Sequence, residues 1–523
     1  MNRRNQIALI ALAIVACVFI LQIPNTLARR GMGYDAIDLL VNVHAEISQR
    51  YVEPSKSNEL AEAAVRGMLE SLNDPYTIYL SAEQLDRFDK NTLGTFSGIG
   101  AEIDRKDGQL RIVSPLEDSP AFEAGVQPGD LILEVDGKST DDMEIFEAIE
   151  HITGEEGTDV VLLIRHPDGE ELPITITRQR INIQTVKALW RGGNHHWEHM
   201  LDSERGIGYV RLTQFSNTSD EDLRAAIEGL VAQDMQGLIL DLRFNPGGLL
   251  DQAENISSMF LDDGVIVSTK GHRSKEETRR AKASDTLPRF PVIVMVNEYS
   301  ASASEIVSGA LKDNGRAVIL GTRTYGKGSV QQVVKLDSSP GAIKLTTAHY
   351  YLPSGRNIHR KEDSEVWGVD PTDGYYVPMN DEQYREMNLI RREKGIVRSD
   401  GSDAGSPDGT ATPDWIEDEL KDTQLAAAYR SMIARMDDGA FEPVGGSDAT
   451  LLTRMLEIEK LQSQREQYLE AVAKIEDEIA KLESHQDVET DEATAGLPEL
   501  DPEGPETHSE SLNAPVEVES VEP

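Results

Sequence analysis

The chain has 523 residues, enough for roughly three or four domain-sized units, yet only 39% is hydrophobic and 5% aromatic, so part of it is expected to stay solvated. Its 51 basic and 92 acidic residues leave a formal net charge of −41, which would repel a polyphosphate backbone and argues against non-specific nucleic-acid binding. A single cysteine, Cys17, excludes intrachain disulfides and thiolate metal clusters.

At the N-terminus, Arg3 and Arg4 precede an uncharged, mostly apolar run from Ile7 to Ile23, and Ala28 ends a small-residue stretch. Residues 1–30 read as an export signal cleaved after Ala28, or as a retained anchor, since about 17–25 residues span a bilayer. Either reading expects an exported protein. Residues 31–90 are predicted helical: DAIDLLVNVHAEISQRYV carries apolar residues at helical spacing, and Asn73-Asp74-Pro75 marks a turn after a second helix. Such helices suit packing on the next domain or dimerisation.

Between 91 and 180 the pattern becomes short alternating runs bounded by Gly, Pro and Asp, such as LRIVSPL, GDLILEVDG and ELPITITR, which predict strands. EDSPAFEAGV and DMEIFEAIEHI predict two helices among them. In Ser97-Gly98-Ile99-Gly100 the glycines let backbone N–H groups converge on a C-terminal carboxylate, though an ordinary glycine turn has the same look. From 181 to 392, buried apolar runs (QGLILDLRF, FPVIVMVNE) alternate with helices, the pattern of an α/β core with a largely parallel sheet. An insertion at 190–205 holds His195, His196 and His199. His195 and His199 could share a helix face, but no matching motif lies elsewhere, so the segment reads as solvated and no metal is expected.

Residues 393–412 read as a linker and 413–484 as a helical extension. An apolar stripe at Val472, Ile475, Ile479 and Leu482 is interrupted at Arg465, favouring a single amphipathic helix over a coiled coil. Residues 485–523 form an acidic tail, expected to be disordered.

The chemistry lies in the α/β part. VNEYSASASEIVSGALKDNG (297–316) places Ser300, Ser302 and Ser304 between a strand ending at Asn297 and a helix beginning near Ser304. A serine at such a corner sits beside the positive end of a helix, with N–H groups near for an oxyanion. The spacing from Ser302 to Glu305 equally fits a capping box. In DLRFNPGGLLDQA, Gly247 and Gly248 could bring N–H groups close to a reacting carbonyl, with the Ala303 N–H as a second donor. They also fit a plain helix start. In TRTYGKGSVQQ, glycines flank Lys327. A confined ammonium there would be desolvated and its pKa lowered toward the range where it accepts a serine proton. A solvated loop lysine has the same local sequence.

Over roughly residues 35–378 these segments resemble the carboxy-terminal processing, or tail-specific, serine protease family. The carriers are S-A-S-A-S-E, Y-G-K-G-S-V-Q and the S-P-A-F-E-A-G-V-Q-P-G-D-L-I-L-E-V-D-G run of a bacterial PDZ domain. The resemblance implies a mixed α/β fold: helical leader, PDZ domain and an α/β protease core of crotonase-like type. It implies Ser302 as nucleophile, Lys327 as general base and Gln331 orienting the lysine. Gly247, Gly248 and Ala303 would form the oxyanion hole, and Gly98, Ile99 and Gly100 would bind the substrate C-terminus. Asp313 aligns with an acidic family position whose role is left open. No cofactor is implied. The expected partners are protein substrates with accessible C-termini, a homo-oligomer or an adaptor, and the membrane through residues 7–23. The expected site is the bacterial periplasm or the outer face of the cytoplasmic membrane. A histidine base (His272, His349 or His359), an inactive PDZ scaffold and a crotonase-like acyl enzyme are the competing readings.

Overall fold

The computed structural model describes residues 34–494 apart from 107, 117, 142, 193–195, 274, 338, 363 and 397–410. The expected signal or anchor, His195, and the tail from 495 onward lie outside the described residues. Two compact units divide the chain, Met1–Leu456 and Glu457–Pro523. The sheets and the site belong to the first.

Helices α1 (Tyr34–Arg50) and α2 (Ser57–Glu70) form where the apolar spacing predicts them and leave Leu39, Val41 and Met68 exposed. The Asp74 carboxylate then accepts from the Tyr76 N–H (3.0 Å) and the Thr77 hydroxyl (2.6 Å), which makes the turn. Where the pattern predicts more helix, a strand follows, β1 (Ile78–Leu80). Three residues are too few to show a period; the strand exists because distant residues 342–344 pair with it. The Ser81–Gln84 capping box opens α3 (Ala82–Leu93), and Gly94, at φ +70°, ends it.

The β-rich module runs through β2 (Thr95–Gly98), β3 (Ala101–Lys106), β4 (Gln109–Pro115), α4 (Pro120–Glu123), β5 (Leu131–Val135), β6 (Lys138–Ser139), α5 (Ile145–Ile152), β7 (Asp159–Arg165), β8 (Glu171–Thr177) and β9 (Gln179–Asn182). Its main sheet has the order β3-β4-β5-β7-β8, and β2 pairs with β9. Ile112, Val135, Leu162, Ile164 and Ile176 fill its core. β3 is an edge strand, so its outer N–H and C=O groups face outward.

The α/β core begins with β10 (Val186–Lys187), β11 (Met200–Asp202) and β12 (Ile207–Leu212). Then come α6 (Ser219–Val231), β13 (Gly237–Asp241), α7 (Leu250–Phe260), β14 (Val265–Lys270), β15 (Glu277–Arg280), β16 (Val292–Val296), α8 (Ala303–Asp313), β17 (Val318–Gly321), β18 (Ser329–Lys335) and β19 (Ala342–Tyr351). The central order is β10-β12-β13-β16-β17, and β12, β13, β16 and β17 are parallel. Successive side chains alternate across this sheet. Val292, Val294 and Val296 meet Leu223, Ile256 and Ile306 of the covering helices, while Ile293 and Met295 face the other way. In place of one largely parallel sheet, β18 and β19 join β1, β14 and β15 in a separate antiparallel sheet.

C-terminal to these lie α9 (Asp381–Lys394), α10 (Pro413–Glu419), α11 (Thr423–Asp437) and α12 (Ala449–Thr494). Residues 413–437, read from sequence as part of an extension, cover the second face of the parallel sheet: Ile416, Leu425 and Tyr429 pack on Ile239, Ile293 and Met295. A sheet buried on both faces needs that cover. α12 supplies the described part of the second unit as one helix, with Val472, Ile475, Ile479 and Leu482 exposed, and it continues past the expected start of the tail at 485. No helix among the described residues is long and apolar enough to cross a membrane.

Candidate active site

The three serines after β16 differ in what their backbones and hydroxyls do. Ser300 Oγ accepts from the Asn297 N–H (2.9 Å) and donates to the Leu242 carbonyl (2.9 Å). Ser304 Oγ donates to the Asn245 carbonyl (2.9 Å), and the Ala301 N–H reaches the same oxygen (3.0 Å). These bonds lace the 297–304 loop to the loop after β13. Ser302 stands between them at φ +55°, ψ −111°, a conformation costly for any residue with a Cβ. Its hydroxyl makes no cap hydrogen bond. The expected capping box is present in its reach-back half, since the Glu305 carboxylate accepts from the Ser302 N–H (2.8 Å).

Gly247, at φ +96°, lies against this corner. A Cβ there would stand 2.8 Å from Ser302 Cβ and 2.9 Å from the Ala303 nitrogen, so only glycine fits. At Gly248 a Cβ would meet the Phe215 carbonyl oxygen at 2.1 Å. The fold thus brings Gly247, Ser302 and Ala303 together. The Gly247 N–H donates to Asn245 Oδ1 (2.9 Å), so this donor is already engaged.

Glu305 is fully buried and ties the serine corner to the lysine loop. Its carboxylate accepts from the Ser302 N–H (2.8 Å), the Thr324 hydroxyl (2.6 Å), the Gly326 N–H (2.7 Å) and the Lys327 N–H (2.9 Å). Burial pushes its carboxyl up, and these four donors oppose that. Sequence reasoning assigned Glu305 only to a cap. Nothing in the local pattern announces that its acceptors are shared with residues about twenty positions on, although Thr324 and the glycine-flanked Lys327 are the partners such a carboxylate would need.

The glycines around Lys327 admit close neighbours rather than a loose loop. A Cβ at Gly326 would meet Trp367 Cδ1 at 2.6 Å, and one at Gly328 would meet the His359 nitrogen at 2.4 Å. Burial lowers the Lys327 pKa, and the nearby Lys344 cation adds to this against Glu305. Its Nζ rests 5.5 Å from the centroid of the Tyr76 ring. Gln331, beside a register shift in β18, donates to Ser329 Oγ (2.8 Å) and Thr346 Oγ1 (3.3 Å). Among the described residues no hydrogen bond joins Ser302 to Lys327, or Lys327 to Gln331. Asp313 accepts from the Ser354 N–H (3.0 Å), a loop contact. Of the histidines, His272 is exposed, and the His349 and His359 rings lie 4.9 Å apart with His349 Nδ1 3.3 Å from the Gly328 carbonyl.

In the β-rich module, the Ile99 carbonyl accepts from the Ala121 N–H (2.8 Å), and the Gly100 carbonyl accepts from the Leu116 N–H (2.9 Å) and Ser119 Oγ (2.8 Å). A trans peptide sets C=O and N–H on opposite sides, so the Ile99 carbonyl aimed inward turns the Gly100 N–H the other way. Gly100 holds φ +73°, and a Cβ there would strike Ser119 Cβ at 2.4 Å. This loop opens directly onto the edge strand β3.

A strained serine at a strand-to-helix corner, joined through one buried carboxylate to a desolvated lysine, belongs to a serine-type protease, here one that carries a PDZ domain. Residues 206–373 match peptidase family S41, residues 111–166 match a PDZ domain, and residues 26–84 match the N-terminal domain of the activating protease CtpB. The chain is 37% identical over 412 residues to a carboxy-terminal-processing protease of Bartonella bacilliformis, covering 77% of this chain and 89% of that one. It is 35% identical over 330 residues to the carboxy-terminal processing protease CtpA of Bacillus subtilis, covering 63% and 68%. A solved photosystem II D1 C-terminal processing protease aligns at 26% identity and TM-score 0.37, over 68% of this chain and 96% of that one. The chain belongs to the carboxy-terminal processing protease family.

Proposed function

We propose that this protein is an exported endopeptidase that captures the C-termini of protein substrates with its PDZ domain and cleaves them with a Ser302–Lys327 dyad. The observation that carries the reading is Glu305, whose one carboxylate holds the backbones of both residues. Neutral Lys327 takes the Ser302 proton as Oγ attacks the peptide carbonyl, and Gln331 orients the amine. The negative oxygen is met by the N–H groups of Gly248 and Ala303, since the Gly247 N–H is bonded to Asn245. The lysine proton passes to the leaving amine, and water then releases the acyl-enzyme by the same path in reverse. In the present arrangement the Lys327 amine lies over Tyr76 and Gln331 is bonded elsewhere. A short movement of the β18 loop must therefore precede catalysis, and peptide binding to the PDZ domain is the natural trigger. The expected location is the bacterial periplasm or the outer face of the cytoplasmic membrane, reached through residues 1–30; fractionation of cells with and without that segment checks it.

The test uses an unstructured protein with an apolar C-terminus, compared with its C-terminally amidated form. Capture of the α-carboxylate expects amidation to raise KM with little change in kcat. Equal kcat/KM for both would remove C-terminal recognition from the reading. Turnover of an acyl thioester without peptide cleavage would instead favour the crotonase-like acyl enzyme.

Glu305→Gln replaces a four-donor acceptor with an amide whose NH₂ faces N–H groups. Loosening both loops by even about 1 Å is expected to lower kcat on the order of 10²-fold, with KM nearly unchanged. Steady-state kinetics on protein shown to be folded by circular dichroism reads this out.

Activity should also rise with pH through the Lys327 pKa, because only the neutral amine accepts a proton. Burial lowers that pKa, so the rate is expected to level off below the ordinary lysine range. A profile of kcat/KM against pH checks the direction, and a rate falling with pH through that range would contradict it.

A further inference from the structure

A crevice of about 230 Å³ opens where the PDZ domain meets the protease core, well apart in the sequence from the Ser302 corner. Pro115 and Leu116 of the PDZ domain form one wall; Lys187 on β10, Arg211 on β12, and Arg391 and Arg392 on α9 form the others. Arg191 also lines it and lies over the Trp197 ring at 4.2 Å. Glu102 is the acidic residue on its rim, and Arg392 Nε already donates to it (3.0 Å).

Three observations say that Lys187, Arg211 and one nitrogen of Arg391 are incompletely met by the protein itself. Lys187 and Arg211 are directly opposite each other in the β10–β12 pairing, and like charges so placed repel. Arg211 Nε and Arg391 Nη1 are buried and have no hydrogen-bond partner, although Arg391 is only 8% exposed. Such a guanidinium donor is costly to leave unmet, and native proteins rarely do so. Burial, and next the charge of Arg211, pushes the Lys187 pKa down to about 8, against a smaller opposing pull from Glu102. Arg391 Nη2, by contrast, is fully used: it donates to Asp241 (3.0 Å) and Asp422 (2.7 Å).

We infer that this crevice is a binding site for a small tetrahedral oxyanion, with inorganic phosphate as the fitting ligand. Its charge offsets the Lys187–Arg211 repulsion. Its oxygens spread in three dimensions and can meet donors arriving from β10, β12 and α9 at once, which a planar carboxylate does less well. The volume suits one such ion with a few waters, and is too small for an extended peptide. Bound there, the ion would engage Arg391, whose Nη2 holds Asp241 at the end of β13. The loop that carries Gly247 and Gly248 follows Asp241. The inference is independent of the catalytic assignment.

The experiment is calorimetric titration of the full chain with sodium phosphate, against sodium chloride at equal ionic strength and against succinate, with the thermal midpoint measured in parallel. One phosphate per chain and a raised midpoint are expected. Arg211→Gln and Lys187→Gln should each weaken binding by at least about tenfold, the loss of one charge-assisted contact. In phosphate-free buffer neither substitution should lower the midpoint, because each relieves repulsion. Lys187→Gln, at a partly exposed position, keeps the test available if Arg211→Gln does not fold. Equal stabilisation by chloride, or an unchanged phosphate response in the variants, would overturn the site. Tighter binding of succinate than of phosphate would also overturn it, by assigning the crevice to a carboxylate.

Discussion

Ser302→Ala is expected to lower kcat for peptide hydrolysis by roughly 10⁴- to 10⁶-fold while leaving substrate binding near its original strength. The hydroxyl oxygen is the proposed attacking atom, and alanine keeps the Cβ that stands next to Gly247. Lys327→Met should cost nearly as much, and the double variant little more than either, because the pair acts as one unit. The neighbouring serines provide the contrast. Ser300→Ala loses two buried hydrogen bonds, with Asn297 and Leu242, and Ser304→Ala loses one, to Asn245, each worth about 0.5–1.5 kcal/mol, and activity should survive. Single-turnover assays with purified variants and denaturant melts of the same samples separate the two kinds of loss. Cleavage undiminished in both Ser302→Ala and Lys327→Met would sink the dyad.

Asp422→Ala is expected to produce the largest loss of stability, about 3–5 kcal/mol, without touching the proposed chemistry. Its carboxylate accepts from Arg243 Nη1 and Nη2 (both 2.8 Å) and from Arg391 Nη2 (2.7 Å), and it caps α11 at the Leu425 N–H (2.9 Å). Arg243 and Asp241 are fully buried, so removing Asp422 strands charges that water cannot reach. Burial works against the Asp422 charge, but Arg243 and Arg391 outweigh it and hold the carboxyl below its ordinary value. The sign follows: a depressed carboxylate pKa contributes stability at neutral pH that is lost as pH falls through the folded value. Urea melts of wild type and Asp422→Ala should therefore differ by the full amount at pH 7 and converge in strong acid. Asp414→Asn, in an exposed pair with Arg430, is the control and should change stability by no more than about 1 kcal/mol. If Asp422→Ala melted like wild type, residues 413–437 would not be the structural cover of the sheet that they form here.

Much of the architecture was legible from local pattern. The β-rich module shows alternating runs bounded by turn residues, and the parallel strands show short unbroken apolar runs because both their faces are covered. The helices of 413–437 were legible, but their packing on the parallel sheet was not, for an identifiable reason. A helix that covers a sheet looks, by itself, like any amphipathic helix, and the buried Arg243–Asp422 pair joins residues far apart along the chain.

At the site the division is sharper. The sequence by itself determined that small residues surround a serine at a strand-to-helix corner, that glycines flank a lysine, and that a glycine-rich loop precedes an edge strand. Each is a short-range pattern of steric permission, and glycine and serine record such permission in their own positions. Only the tertiary structure decided that β1 pairs with β19, that Glu305 serves the lysine loop as well as the start of its own helix, and that Lys187 stands beside Arg211 in a crevice near Arg391. Those outcomes depend on which distant segments the sheet order brings together. Burial of a charge and the sharing of its partners are properties of that three-dimensional neighbourhood, and no local run of residues carries them.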